Sequence, residues 1–265
     1  MVTSKEDLVN LFKDLGISIS DDVMVHCSLK SLGNVINGPL DVIDSLLEVV
    51  DIDKGTILMP AHSGQITDPV DWKNPPLSKK DVDVVRNKMK PFDKDITPSR
   101  GRGIVAQTFL SYKDVNRSNH PLNSVSALGK KADLYTSYHD FDEPEGISSP
   151  IGRLYGNNGK VLGIGVGVNS FTAIHLAEYI AEVDYLKNNN PSVLFERKNG
   201  KNLFRKIKRY PGNSDKFINV LPILREKKLI KEINFNNDIM TIIPIKPVVD
   251  RIVEILRENP KFLVT

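Results

Sequence analysis

Five histidines, His26, His62, His120, His139 and His175, and one cysteine, Cys27, are the side chains of this 265-residue chain best suited to move protons or attack an electrophile. His175 has the strongest setting. It lies one turn into a segment that reads as a helix from about Thr172 to Val183, directly after the apolar run Val161–Val166, which reads as a strand. In a parallel sheet such a helix starts at the carboxyl edge, where ligands bind. Glu178 and Glu182 follow three and seven residues later on the same face, opposite Ile174, Ala177 and Ala181. An imidazole beside carboxylates is stabilised as imidazolium and suits a general base. The competing reading is a solvated polar face that happens to carry a histidine. His26 and Cys27 are neighbours on a strand and so point to opposite faces, which rules out a dyad; Cys27 reads as a buried structural thiol.

Two loop-to-helix junctions could hold an anion. One is Ser28-Leu29-Lys30-Ser31-Leu32-Gly33, leading to Gly38; the other is Thr97-Pro98-Ser99-Arg100-Gly101. Helix starts offer free N–H groups and partial positive charge. Each could equally be a capped turn, and neither has the GxxxxGK[ST] spacing of a nucleoside triphosphatase. The run Gly163-Ile164-Gly165-Val166-Gly167 follows the GxGxxG dinucleotide pattern only in part, since its third glycine comes one residue early. It supports a rival oxidoreductase reading. The basic run from Arg197 to Arg209 sits on an alternating hairpin with no aromatic platform, so a solvated sheet face explains it without nucleic acid.

These residues need a scaffold, and the composition supplies one. Hydrophobic residues make up 40% of the chain and charged residues 26%, enough for a substantial core, and the net charge of +3 is too small to argue for a polyanionic partner. A lone cysteine excludes an intramolecular disulfide and cysteine-rich metal sites. The N-terminus is charged and lacks the apolar core of a signal peptide, and no apolar run reaches the ~18 residues of a membrane helix. A cytoplasmic protein with no metal is expected.

The order of elements is that of an α/β fold. Thr3–Gly16 reads as a helix capped by Thr3 with Glu6, Val23–Cys27 as a strand, Gly38-Pro39 as the start of a second helix, and Thr56–Met59 as a second strand. Residues 64–98 are proline-rich and irregular, a lid or an exposed excursion, with at most a marginal helix from Lys79 to Lys90. A helix over Gly101–Ser111, a strand over Val125–Leu128, a hairpin over Ser192–Tyr210 turning at Asn199-Gly200, and a closing helix over Val248–Arg257 complete the reading.

The ordered motifs also carry a resemblance. Val25-His26-Cys27-Ser28-Leu29-Lys30-Ser31-Leu32-Gly33, Gly38-Pro39 and Gly55-Thr56-Ile57-Leu58-Met59-Pro60 come first. Phe92-Asp93, Thr97-Pro98-Ser99-Arg100, Arg117-Ser118-Asn119-His120-Pro121, Gly146, Ser149-Pro150, Gly165-Val166-Gly167 and His175-Leu176-Ala177-Glu178 follow. Together they resemble the aminoglycoside 3-N-acetyltransferase family over about residues 22–185. The resemblance implies one α/β domain spanning residues 1–265, with a largely parallel or mixed sheet flanked by helices, distinct from the GNAT acetyltransferases. It implies an acetyl-CoA-dependent N-acetyltransferase with His175 and Glu178 at the reacting centre. Ser28, Leu29, Lys30, Ser31 and Gly33, with Thr97, Ser99 and Arg100, would hold the pantetheine and phosphates. A polycationic acceptor needs carboxylates, so Asp68, Asp142, Glu143, Glu182 and Asp184 are candidates, and His120 could line the pocket or hold the loop before Pro121. The partner is then a small-molecule amine, an aminoglycoside or a related amino sugar, with no nucleic acid and no membrane; a homodimer is left open. Two departures stand out. Cys27 replaces a usual serine, and the basic C-terminal third lacks the family's cysteine-containing and glycine-rich stretches. A non-catalytic binding protein on the same scaffold is the third reading.

Overall fold

The computed structural model describes residues 2–188 and 190–265. Its first elements are β1 (Val2–Thr3), α1 (Lys5–Leu15), β2 (Asp22–Cys27), β3 (Asn34–Val35), α2 (Pro39–Val49) and β4 (Thr56–Pro60). Next come α3 (Lys79–Lys88), α4 (Gly103–Phe109), β5 (Asn116–Arg117), β6 (Val125–Gly129), α5 (Ala132–Thr136) and α6 (Pro150–Gly156). They are followed by β7 (Lys160–Ile164), α7 (Thr172–Ile180), β8 (Ser192–Lys198), β9 (Lys201–Lys206), α8 (Leu221–Glu226), β10 (Lys231–Phe235), β11 (Asp238–Pro244) and α9 (Ile245–Glu258).

A seven-stranded mixed sheet, in the order β10-β11-β7-β2-β4-β6-β5, organises the molecule. Its centre is parallel, with β2 between β4 and β7, and antiparallel strands β11 and β6 border it on either side. The period-2 alternation of strand side chains sorts the core into two layers. Val23 and Val25 of β2, with Ile57 and Leu162, pack against α1, α2 and α4. Met24, Leu58 and Val161 face α7 and α9 on the other side. His26 follows Met24 by two residues and so shares the α7 side of the sheet, where its ring lies 5.8 Å from Phe171.

Local chemistry explains most boundaries. Ser4 caps α1 in a capping box with Asp7, one residue on from the expected Thr3–Glu6 pair, because the Thr3 hydroxyl is committed to the Leu32 carbonyl. Gly16 ends α1 at φ 95°. The expected hairpin turns at Asn199 and Gly200, both at positive φ. The helix after β7 is shorter than its sequence pattern. It ends at Ile180, and Glu182 stands beyond it at φ 56°, off the face shared by His175 and Glu178. Lys79–Lys88 forms a definite helix, held to the β8–β9 hairpin by the Asn202 amide, which donates to the Arg86 and Met89 carbonyls.

The glycine run has a packing explanation. Gly163 is inside β7, and a Cβ there would stand 2.6 Å from Thr241 Oγ1 and 2.7 Å from the Phe171 ring. Gly165, at φ 58°, lies where a Cβ would collide with Ser31. These glycines let α7 and the turn after β2 close on the strand, a role that needs no dinucleotide.

Among the described residues no helix is long and apolar enough to cross a membrane, and no cluster of His, Cys, Asp and Glu could hold a metal ion.

Candidate active site

The carboxyl ends of β2, β4 and β7 meet at one edge of the sheet, and a cavity of about 530 Å³ opens there. His26, His62, Arg102, Glu145 and His175 are among its lining residues. His175 enters from the first turn of α7, and its side chain is 12% exposed. Its Nδ1 is 2.7 Å from Glu178 Oε2. A carboxylate only accepts, so Nδ1 carries the proton and Nε2 keeps its lone pair. Glu178 is fully buried, and its Oε1 accepts from the Tyr185 hydroxyl at 2.7 Å. Phe217 packs edge-on against the imidazole, with ring centroids 4.6 Å apart. Burial opposes charging of His175, but Glu145 and Glu178 outweigh both it and the repulsion from Arg102, so the pKa lies above 6.5.

Glu145, which the sequence does not single out from its acidic neighbours, forms a second carboxylate at the site. It is 5% exposed, and its Oε1 accepts from Asn123 Nδ2 at 3.0 Å while Oε2 has no partner. Burial raises its carboxyl above the usual range, against the opposing pull of His175. Two other histidines hold the segment that carries it. His120 Nδ1 accepts from the Leu122 and Asn123 backbone, so its Nε2–H donates to the Phe141 carbonyl at 3.3 Å. His139 Nε2 donates to the Pro144 carbonyl at 2.6 Å, and the two rings lie 4.7 Å apart. Burial pushes His120 down to about 4, which keeps it neutral. His120 thus braces the loop rather than lining the pocket.

The remaining candidates divide clearly. Ser28–Gly33 and Thr97–Arg100 do not line the cavity, although each continues directly from a residue that does, Cys27 and Gly101. Lys30 and Arg100 are exposed and make no ion pair among the described residues, whereas the buried Ser99 hydroxyl lacks a partner. Asp68 is away from the cavity, holding Arg86 at 2.8 Å. Asp142 is paired with Arg205 and Lys208, Glu143 with Arg209, and the exposed Asp184 with Lys187. Glu182 is exposed and away from the cavity as well. The expected acceptor carboxylates are therefore not gathered here. Arg102, not Arg100, is the arginine of this segment that reaches the site.

Cys27, expected to be buried, is only half-buried and borders the cavity, where desolvation raises its thiol to about 12. Against an ordinary thiol pKa of ~8.5, the thiolate fraction at pH 8 falls by roughly a thousandfold. Because the more basic thiolate is also the better nucleophile, the native protein should react with a disulfide reagent only about 10²-fold more slowly than the unfolded chain. Equal rates in the two states would show that the thiol is not held in this way.

The fold and site together define an acyltransferase built on a mixed α/β sheet. Residues 24–257 match the aminoglycoside 3-N-acetyltransferase family, and the chain belongs to it. Acetyl-CoA is the cosubstrate in this family. The chain is 35% identical over 206 residues to the SPbeta prophage-derived aminoglycoside N(3')-acetyltransferase-like protein YokD of Bacillus subtilis (strain 168), covering 77% of this chain and 74% of that one. Their structures superpose with a TM-score of 0.89 over 98% and 96% of the two chains, at 30% identity. AAC(3)-IVa, solved as a mutant in complex with apramycin, is similar at a TM-score of 0.81 and 25% identity, covering 98% of this chain and 94% of that one. AAC-IIIb, solved in a binary complex with CoASH, shares the fold at a TM-score of 0.81 and 21% identity, over 97% of each chain. The curated aminoglycoside N(3)-acetyltransferases match at 30–33% identity over 59–64% of their own length.

Proposed function

We propose that this protein transfers the acetyl group of acetyl-CoA directly to an amine of an aminoglycoside or a related amino-sugar-like acceptor, with His175 as general base. The observation that carries this reading is the Tyr185–Glu178–His175 chain, built on the fully buried Glu178, which leaves Nε2 of His175 at the wall of the cavity. The acceptor amine is an ammonium at neutral pH and cannot attack. Nε2 takes its proton, directly or through one water, and Glu178 stabilises the imidazolium that forms. The freed amine adds to the thioester carbonyl, giving a tetrahedral oxyanion. Collapse expels the thiolate of coenzyme A, which the His175 imidazolium protonates, and the nitrogen's second proton passes to water to leave the neutral amide. No acyl-enzyme is needed, and holding both reactants in one cavity can contribute roughly 7–11 kcal/mol at best.

Coenzyme A would reach the cavity past Cys27 and Gly101. Ser28, Leu29, Lys30, Ser31, Gly33, Thr97, Ser99 and Arg100 then lie on its approach, with the unpaired Lys30 and Arg100 suited to its phosphates. The glycine run supports no competing dinucleotide site, because the space beside Gly163 and Gly165 is occupied by Phe171 and Ser31.

The test is release of coenzyme A thiol with a panel of amines, followed against pH. Only neutral His175 acts as a base, so kcat/KM should rise with pH through a pKa above 6.5. In Glu178→Gln the imidazolium loses its carboxylate, its pKa falls, and the acid limb should move to lower pH by about one unit. The plateau should drop by roughly 10²-fold, because a carboxamide can donate to Nδ1 and force the proton onto Nε2. A limb that stays in place in this variant would remove the pair from the mechanism.

A further inference from the structure

We infer that Arg102 selects the acceptor: the amine acetylated here also carries an anionic group, a carboxylate or a phosphate, that pairs with the Arg102 guanidinium while the amine meets His175. This rests on acetyl transfer at His175 and narrows the proposed acceptor to the amino-sugar-like alternative, setting aside the polycationic aminoglycosides.

Three observations carry the inference. First, Arg102 lines the cavity together with His175, yet among the described residues its side chain makes neither an ion pair nor a hydrogen bond. Arg86, Arg205 and Arg209, by contrast, each hold a carboxylate. A guanidinium is a planar fork matched to carboxylate and phosphate, and this one is left open toward the ligand space. Second, the acidic side chains a polycation would require are withdrawn. Asp68, Asp142, Glu143 and Asp184 are in ion pairs away from the cavity. Among the described residues the lining includes only two acidic side chains, Glu145 and the exposed Asp215, which is in no ion pair and can take one ammonium of the acceptor. Glu145 is buried and accepts from Asn123 through one oxygen. A ligand with three or more ammonium groups would bring more positive charge than this wall can balance and would meet a like charge at Arg102. Third, the backbone at Arg102 is set by its neighbours, while its side chain is exposed where it borders the cavity. Gly101 and Gly103 both have left-handed φ, 76° and 84°, and a Cβ on Gly103 would touch the Cys27 carbonyl at 3.4 Å. The charge is felt by His26, His62, Glu145 and His175 alike.

The same guanidinium could instead grip a phosphate of coenzyme A, so the experiment separates the two sources. Amines are offered in pairs that differ by an acid group: glucosamine and glucosamine 6-phosphate, ethanolamine and O-phosphoethanolamine, cadaverine and 6-aminohexanoate. Gentamicin serves as the polycation. With the wild-type chain the acid-bearing member should have at least a tenfold higher kcat/KM, and gentamicin should be the poorer acceptor. In Arg102→Gln the ratio within each pair should fall toward one, and in Arg102→Glu it should invert in favour of gentamicin. A rise in KM for acetyl-CoA with the acceptor ratios intact would assign Arg102 to coenzyme A and overturn the inference. So would an equal fall in kcat for every acceptor, which would mark an oxyanion role. Thermal shifts of the coenzyme A-saturated protein with the same pairs read acceptor binding without turnover. Arg102-dependent shifts without thiol release would sink the chemistry assigned to His175 but keep this inference; equal shifts within every pair would overturn the inference itself.

Discussion

Replacing His175 with alanine should reduce kcat by about 10²–10⁴-fold while acetyl-CoA still binds. That range corresponds to roughly 3–5 kcal/mol of lost transition-state stabilisation. The acceptor nitrogen is protonated at neutral pH, and Nε2 is the lone pair the structure leaves available at the cavity wall beside a buried carboxylate. The substitution leaves the buried Glu178 with Tyr185 as its remaining partner and opens space beside Phe217, so a melting curve accompanies the activity measurement. Thiol release measures the loss, and calorimetry with acetyl-CoA checks that the donor site is intact. A variant with wild-type turnover would remove His175 from its role.

The largest effect on stability is expected at Arg117. This residue is 6% exposed and ties three segments together. Its Nε donates to Ser124 Oγ at 2.9 Å, and Nη2 donates to Ser63 Oγ at 2.8 Å and to the Ala61 carbonyl. Nη1 donates to the Thr97 carbonyl, and the guanidinium covers the Phe92 ring with its carbon 4.9 Å from the centroid. Burial lowers its pKa to about 10, still well above neutrality, so the side chain remains charged and its hydrogen bonds are charge-assisted. Arg117→Ala leaves several buried acceptors without donors and should cost about 3–5 kcal/mol. For a chain of this size that corresponds to a fall in Tm of roughly 6–20 °C. The loss should also release residues 92–102, and with them Arg102, so proteolysis in that segment should accelerate. Arg117→Lys should recover only part of the stability, since one ammonium cannot replace the fork. An alanine variant that melts within a degree of the native protein would show that the segment is held by other contacts.

Legibility from sequence depended on how local each signal is. The α1 stripe Leu8, Leu11, Phe12 and Leu15, the Gly16 stop and the Asn199-Gly200 turn are set by neighbouring residues, and each appears where the pattern puts it. The hairpin β10–β11 carries a weaker local signal, since its turn is Asn236-Asn237 without a glycine, although both residues adopt positive φ and form the two-residue loop such hairpins favour. It is this strand pair, with β11 antiparallel to β7, that makes one flank of the sheet antiparallel. The motif histidine His175 could be placed at the strand edge because a strand followed by a helix fixes that position.

Acidic residues, in contrast, look alike in a sequence. Asp142, Glu143 and Glu145 stand within four positions of one another, yet two are in ion pairs with a basic hairpin and the third is buried at the cavity. Arg100 and Arg102 differ in the same way: one is outside the cavity wall and the other lines it. The chain's own pattern determined the family, the α/β order and the His175–Glu178 pair, because motif spacing and helical periodicity are properties of neighbouring residues. Which charges are spent on ion pairs and which remain available to a ligand was decided by tertiary structure, because burial and Coulomb partners come from segments far apart in the chain.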